Sequence, residues 1–251
     1  MRSFTIILLA VLLSAVGQAE DTASKDADWG SQDINLSALK TWGTKHYIYS
    51  HCNADGEVLN ALGTVSLSTE LTDDAVILKD KYQIQITPGE VGIASLELIQ
   101  NCKMDIFLSP TRIESKGEGH EEFATFVATV AKGKAMVREQ DGKQSVRDLP
   151  DGTITMASMM RLVTLVPGKP GLTYTYKYSL ESEEMNLKKK YRLEVLPSET
   201  ITSGGRQVPC TKFKLTSEGI RPVYYWVTKN GVLQRLIMDD RKMLELDGTP
   251  S

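Results

Sequence analysis

Residues 172–181 alternate with a strict period of two. Leu172, Tyr174, Tyr176, Tyr178 and Leu180 fall on one side, and Thr173, Thr175, Lys177, Ser179 and Glu181 on the other. Successive side chains of a strand point to opposite faces, so this pattern specifies a strand with one buried and one wet face, as in antiparallel sheets. The same rhythm recurs. Val65, Leu67, Thr69 and Leu71 alternate with polar neighbours, as do Tyr82 and Ile84, Leu187–Val195, and Phe213 with Leu215. Asp55-Gly56, Asp141-Gly142, Gly204-Gly205 and Asn230-Gly231 supply dipeptides that tolerate the positive φ of tight hairpins. A mainly β fold follows: a strongly curved antiparallel sheet, an incomplete barrel of about 11–13 strands joined as hairpins.

One segment departs from this rhythm. Ile154–Val166 carries apolar residues at Met156, Met159, Met160, Val163 and Val166, a helical spacing. Asp151 and Thr153 offer N-cap oxygens, and Pro167, Gly168 and Pro170 end the segment. The expectation is a single Met-rich helix over 154–166, about 20 Å long, lying on the concave side of the sheet.

The N-terminus reads as an export signal. Arg2 precedes an apolar run from Thr5 to Val16, and Val16-Gly17-Gln18-Ala19 places small residues at a cleavage site. The run is too short for a membrane span. Residues 1–19 are read as a signal peptide, 20–43 as a flexible leader with a short helical piece near Ile34–Leu39, and 44–251 as one curved β domain. Two halves, 44–150 and 151–251, remain the alternative division. Localisation is then exported, periplasmic or secreted, with a soluble mature chain. That chain keeps 28 of the 29 Lys+Arg against 32 Asp+Glu, a formal balance of −4. Nucleic-acid binding requires a basic stripe, and none is present.

An exported chain meets an oxidising compartment, and three cysteines, Cys52, Cys102 and Cys210, permit one disulfide. Three pairings exist. Cys52–Cys102 is preferred because both sit at strand ends in the N-terminal half, with three unpaired thiols as the competing state.

From residue 150 onward the order of features is a helix, long hairpins over Leu172–Val195, a Gly-Gly turn with Arg206, then Tyr224-Tyr225-Trp226-Val227 with its Asn-Gly turn and a closing stretch to Leu246. This half resembles the exported half-barrel proteins of Gram-negative bacteria, the LolA/LolB lipoprotein-carrier-like families and their uncharacterised periplasmic relatives. The resemblance implies a curved sheet around a helix, with acyl-chain binding as one activity among such relatives. It transfers no individual residue.

Catalytic and metal chemistry find little footing. His46 and His51 are five apart on one strand, and His120 stands alone, whereas zinc needs three or four converging ligands. A Gly-x-Ser-x-Gly elbow is absent. Glu183-Glu184 and Asp239-Asp240 read as solvated turns. Lys188-Lys189-Lys190 with Arg192 reads either as edge-strand protection or as a docking face. No catalytic residue, metal or cofactor is assigned. The leading reading is a non-enzymatic envelope protein binding an apolar or lipid-like ligand. Met156, Met159, Met160, Val163, Tyr174, Tyr176, Leu193 and Phe213 would line the site, since methionine suits varied apolar ligands. The alternatives are an envelope protein–protein interaction module and, in a minor place, an envelope hydrolase.

Overall fold

The computed structural model describes residues 25–248 apart from 30–31, 33, 54–55, 86–91, 121–122, 182–185, 218–219 and 239–240. The signal-peptide segment 1–19 lies outside the described residues. Strand β1 (Lys25–Asp28) is followed by a 3-10 turn at Leu36–Thr41, then β2 (Thr44–Cys52), β3 (Val58–Leu71), β4 (Ala75–Ile84), β5 (Ala94–Lys103) and β6 (Pro110–Glu118). Three short strands follow, β7 (Phe126–Ala131), β8 (Lys134–Glu139) and β9 (Gln144–Asp148). β10 (Thr153–Thr155) runs directly into helix α1 (Met156–Leu162). The second block holds β11 (Leu172–Glu181), β12 (Asn186–Val195), β13 (Glu199–Ser203), β14 (Arg206–Ser217), β15 (Ile220–Thr228), β16 (Leu233–Met238) and β17 (Lys242–Leu246).

All of these strands belong to one sheet that is not closed into a barrel. Pairing is antiparallel except that β1 and β10 lie parallel to β11, against its first and last residues respectively. β17 pairs with β2, which joins the two strand blocks side by side. One end of the sheet is β9, and the other is formed by β1 and β10. The hairpin turns fall where the Gly dipeptides predict: both Gly204 and Gly205 adopt positive φ (54° and 72°), a conformation that glycine enters without strain.

Inward residues of both blocks form one core. Leu67 and Leu78 join Ile113, Tyr174, Leu193, Phe213, Tyr225 and Leu244, all 4% exposed or less. A smaller cluster on the opposite face contains Cys52, Ile201, Cys210, Trp226, Ile237 and Met243. The β13–β14 hairpin is tied to it through Arg235 Nη2, which donates to the Thr202 carbonyl at 2.7 Å, and through Trp226 Nε1, which donates to Glu199.

Four expectations need correction. The sheet has 17 strands among the described residues rather than 11–13. The extra strands are short, and Thr153-Ile154-Thr155 is buried at all three positions, so it shows no alternation to read. The helix covers Met156–Leu162, about 10 Å, rather than 154–166. Its first residues are held as a strand by β11, and the N-cap is Thr155, whose Oγ1 accepts from Ser158 N, not Asp151 or Thr153. The leader is not flexible throughout. Residues 25–28 form β1, and Trp29 is fully buried with its ring edge-on to Tyr174 and Tyr176, at 5.8 and 5.9 Å between centroids. A fully buried indole offsets the ordering of a short polar segment. Finally, Cys52 and Cys102 are buried thiols rather than a disulfide. They lie on β2 and β5 with two strands between, roughly 14 Å at 4.8 Å per strand, and a disulfide needs Cα atoms within about 7 Å.

Candidate functional site

Helix α1 sits inside the curve with Ala157–Leu162 buried. Apolar packing is only part of what fixes it. Arg161, fully buried, donates from Nη2 to Asp80 Oδ1 on β4 at 2.6 Å and to the Ser68 carbonyl at 2.9 Å. Its Nε reaches Thr69 Oγ1 at 3.2 Å, and its guanidinium stacks 4.9 Å from the Trp42 ring. Burial pushes the Asp80 carboxyl upward, and the guanidinium opposes that push. Asp80 Oδ2 is buried without a hydrogen-bond partner. One turn earlier, Thr155 Oγ1 donates to Gln100 Oε1 at 2.9 Å, and Gln100 Nε2 donates to Ser158 Oγ at 2.9 Å. Ser158 Oγ donates in turn to the Leu108 carbonyl at 3.1 Å. Leu108 is buried and holds a positive φ of 48°, costly for a branched side chain. Two residues before it, the Ile106 carbonyl accepts the Trp29 indole N–H at 2.8 Å. The loop after β5 therefore gathers the N-terminal segment, the helix and the sheet at one junction.

The eight residues expected to bind a ligand are brought together here. Met159, Met160, Val163, Tyr174, Leu193 and Phe213 are each 1% exposed or less, Tyr176 is 5% exposed, and half-buried Met156 packs beside them. Tyr174 OH donates to the Pro167 carbonyl, and Tyr225 OH approaches Met156 Sδ at 3.6 Å. Burial drives the Tyr225 phenol far above its usual range, and the Tyr47 phenol likewise. These side chains fill the interior by packing on one another.

Space for a ligand appears elsewhere. An open groove of about 740 Å³ runs over β5–β8, and none of the eight lines it. Along β5–β8 the residues Leu98, Ile113, Ala128 and Val137 point into the core, so their neighbours Ile99, Glu114, Val127 and Met136 line the opposite, outer face. Ile99, Val127 and Met136 supply the apolar part of its floor, with Glu114 paired between Ile99 and Val127 and Met136 54% exposed. Arg112, Lys116 and Arg138 alternate with Glu97, Glu114 and Glu139 around it. Gly117 helps shape this region: a Cβ there would lie 1.8 Å from the Phe123 carbonyl oxygen, so only glycine lets the chain after β6 fold back so closely. A second cavity of about 600 Å³, lined by His120, Phe123 and Arg147 among others, lies at the end of the same hairpins.

The comparisons bear on this architecture. The family described as "Protein of unknown function (DUF3108)" matches residues 46–242. The chain belongs to that family. The match runs from β2 to the first residue of β17, so it takes in α1, its polar seam and the outer groove of this DUF3108 member alike. No curated protein matches it. Among solved structures it is similar to a β-barrel-like protein of domain of unknown function DUF1849 from Brucella abortus, at 12% identity and a TM-score of 0.50. That alignment covers 81% of this chain and 94% of the other, and shows a common fold. A "putative lipoprotein" from Parabacteroides distasonis (12% identity, TM-score 0.31, 82% and 94% coverage) is too distant in shape to carry an argument. The same holds for a protein with YmcC-like fold from Bacteroides fragilis (11%, 0.24, 82% and 94%). Of the LolA/LolB resemblance, the β-barrel-like fold is what these matches support.

The remaining sequence features are dispersed. No group of three or more His, Cys, Asp or Glu among the described residues is placed to hold a metal ion. No helix among them is long and apolar enough to cross a membrane. Among the described residues, Lys188 and Lys189 pair with Ser179 and Tyr178 of β11, and β14 meets β12 over Tyr191–Val195. Glu183-Glu184 and Asp239-Asp240 fall outside the described residues. Sequence reasoning missed the Arg161–Asp80 pair and the outer groove. Arg161 carried a signal, a lone cation inside an otherwise apolar helix; Ile99, Val127 and Met136 carried none beyond being apolar on the wrong parity of their strands.

Proposed function

We propose that the protein is a non-enzymatic binding module of the cell envelope that takes an apolar or lipid-like ligand in the outer groove over β5–β8. The observation that carries this is the apolar floor of Ile99, Val127 and Met136 in a groove of about 740 Å³, within the size range of small-molecule sites. The signal-like residues 1–19 support an envelope location. Use of the helix-lined interior would require α1 to leave, breaking the buried Arg161–Asp80 pair and the Gln100–Ser158 bond. An acyl chain of about 15 methylenes gains roughly 12 kcal/mol when fully buried and about half of that in an open groove. Immobilisation costs about 4–15 kcal/mol, so the groove holds such a chain only where that cost is at the low end, and the complex is weak.

Organic-solvent extraction of purified residues 20–251 followed by mass spectrometry, with titration of a fluorescent fatty acid, tests the reading. Saturable uptake that falls at least tenfold in Met136→Glu, with melting unchanged, is the expected result. Absence of bound lipid and of saturable uptake removes it.

A further inference from the structure

Strand β9 ends the sheet, and the geometry points to its edge as a self-association surface that pairs with a second copy of this chain, strand to strand, about a two-fold axis at Val146. In an antiparallel ladder every second residue exchanges both backbone hydrogen bonds with its neighbour strand. The β8–β9 ladder shows which ones. Glu139 N donates to the Lys143 carbonyl and Leu149 N to the Gly133 carbonyl, both at 2.9 Å, with Val137 opposite Ser145 between them. The odd-numbered residues of β9 therefore bond to β8, while the N–H and C=O of Gln144 and Val146 point outward along the edge. An outward row of backbone groups is a template for another strand.

What the strand carries favours its own copy. Centred on Val146, an antiparallel pairing sets Val146 against the partner's Val146 and Gln144 against the partner's Asp148. Ser145 then meets the partner's Arg147, and no like charges face each other. Val146, 68% exposed, stands opposite Met136, 54% exposed, on the outer face. The two-fold would extend this exposed pair into a row of four apolar side chains across the junction. On the other face Ser145 Oγ is buried without a hydrogen-bond partner, and the pairing gives it the partner's guanidinium. Asp148 keeps its own ion pair to Lys134 on the neighbouring strand and meets only an uncharged amide across the seam. An edge of five residues buries far less than the roughly 1,600 Å² of a standard interface, so the association is weak and concentration-dependent.

Sedimentation of the mature protein tests this. The weight-average mass is expected to climb from one chain toward two between roughly 10 µM and 1 mM, the range of weak complexes. Val146→Pro removes an outward N–H that β8 does not use, so its melting should match the parent while its mass stays at one chain across the same range. Under mild oxidation Val146→Cys should yield a covalent dimer at least tenfold faster than Gln144→Cys, which lies opposite Asp148 rather than itself. A parent protein that remains one chain at 1 mM overturns the proposal. So does a Val146→Pro variant that associates as the parent does. Equal crosslinking of the two cysteine variants overturns the register.

Discussion

The interior around α1 and the β7–β9 extension are made by the same chain under opposite constraints. Inside, a seven-residue helix is fixed by an ion pair, an amide–hydroxyl chain and methionines at 1% exposure. In the extension, strands of five or six residues carry a wet face with Met136 and Val146 exposed and end in β9, which pairs only with β8 among the described residues. Polar groups in a core are tolerated only when satisfied, and here nearly every one reaches a named partner. Exposed apolar groups on a short edge strand stabilise nothing in the monomer, so they are free to serve contacts with something else. The Met-rich helix, the most conspicuous object in the sequence, is packed within the core, while the short strands of the extension carry accessible apolar surface.

The largest expected effect breaks the interior. Arg161→Met leaves Asp80 buried and uncompensated and should cost about 3–5 kcal/mol of stability by denaturant unfolding; Arg161→Met with Asp80→Leu should recover most of the loss. Trp29→Ala should cost about 3–5 kcal/mol in the same measurement, removing the indole that links β11 to the loop after β5. If that variant melts with the parent, the N-terminal segment is peripheral after all. Ser158→Ala leaves Gln100 Nε2 with only Cys102 Sγ and takes the donor from the Leu108 carbonyl, and should cost about 1–3 kcal/mol.

A pH series sharpens the same contrast. Burial raises the Cys102 thiol to about 12 and the Cys210 thiol to about 11, from ordinary values near 9. The unfolded chain therefore loses these protons first, and stability should be unaffected below about pH 9. It should fall as pH rises toward 11–12, by up to about 1.4 kcal/mol per pH unit for each group. Cys102→Ala should flatten part of that slope. The smallest effect belongs to the extension: Val146→Thr should change stability by no more than about 0.5 kcal/mol.

The sheet was legible because its long strands repeat a two-residue period in sequence, over Leu172–Glu181 of β11 and over Val65–Leu71 of β3. The hairpin at Asn230-Gly231 was legible because few other dipeptides tolerate that turn, which Gly231 closes with φ 71°. β10 was not, since a three-residue strand buried on all sides shows no pattern, and neighbouring Met and Leu residues read as one continuous helix. Trp29 was hidden by its polar surroundings: composition averages over a window, whereas one indole in a matching recess decides the position of a segment. The groove was invisible for a related reason. Its apolar residues come from three strands, and only pairing reveals their arrangement: Glu114 lies between Ile99 and Val127, and Met136 sits diagonal to Val127.

Hydrogen exchange on residues 20–251 separates the two regions in one experiment. The account predicts that amides of α1, β4 and β11 exchange only through global unfolding, while those of β8 and β9 exchange orders of magnitude faster. If α1 instead exchanges as fast as β9, the helix leaves its place in the native state, the interior is open to a guest, and the assignment of structural and accessible regions made here is reversed.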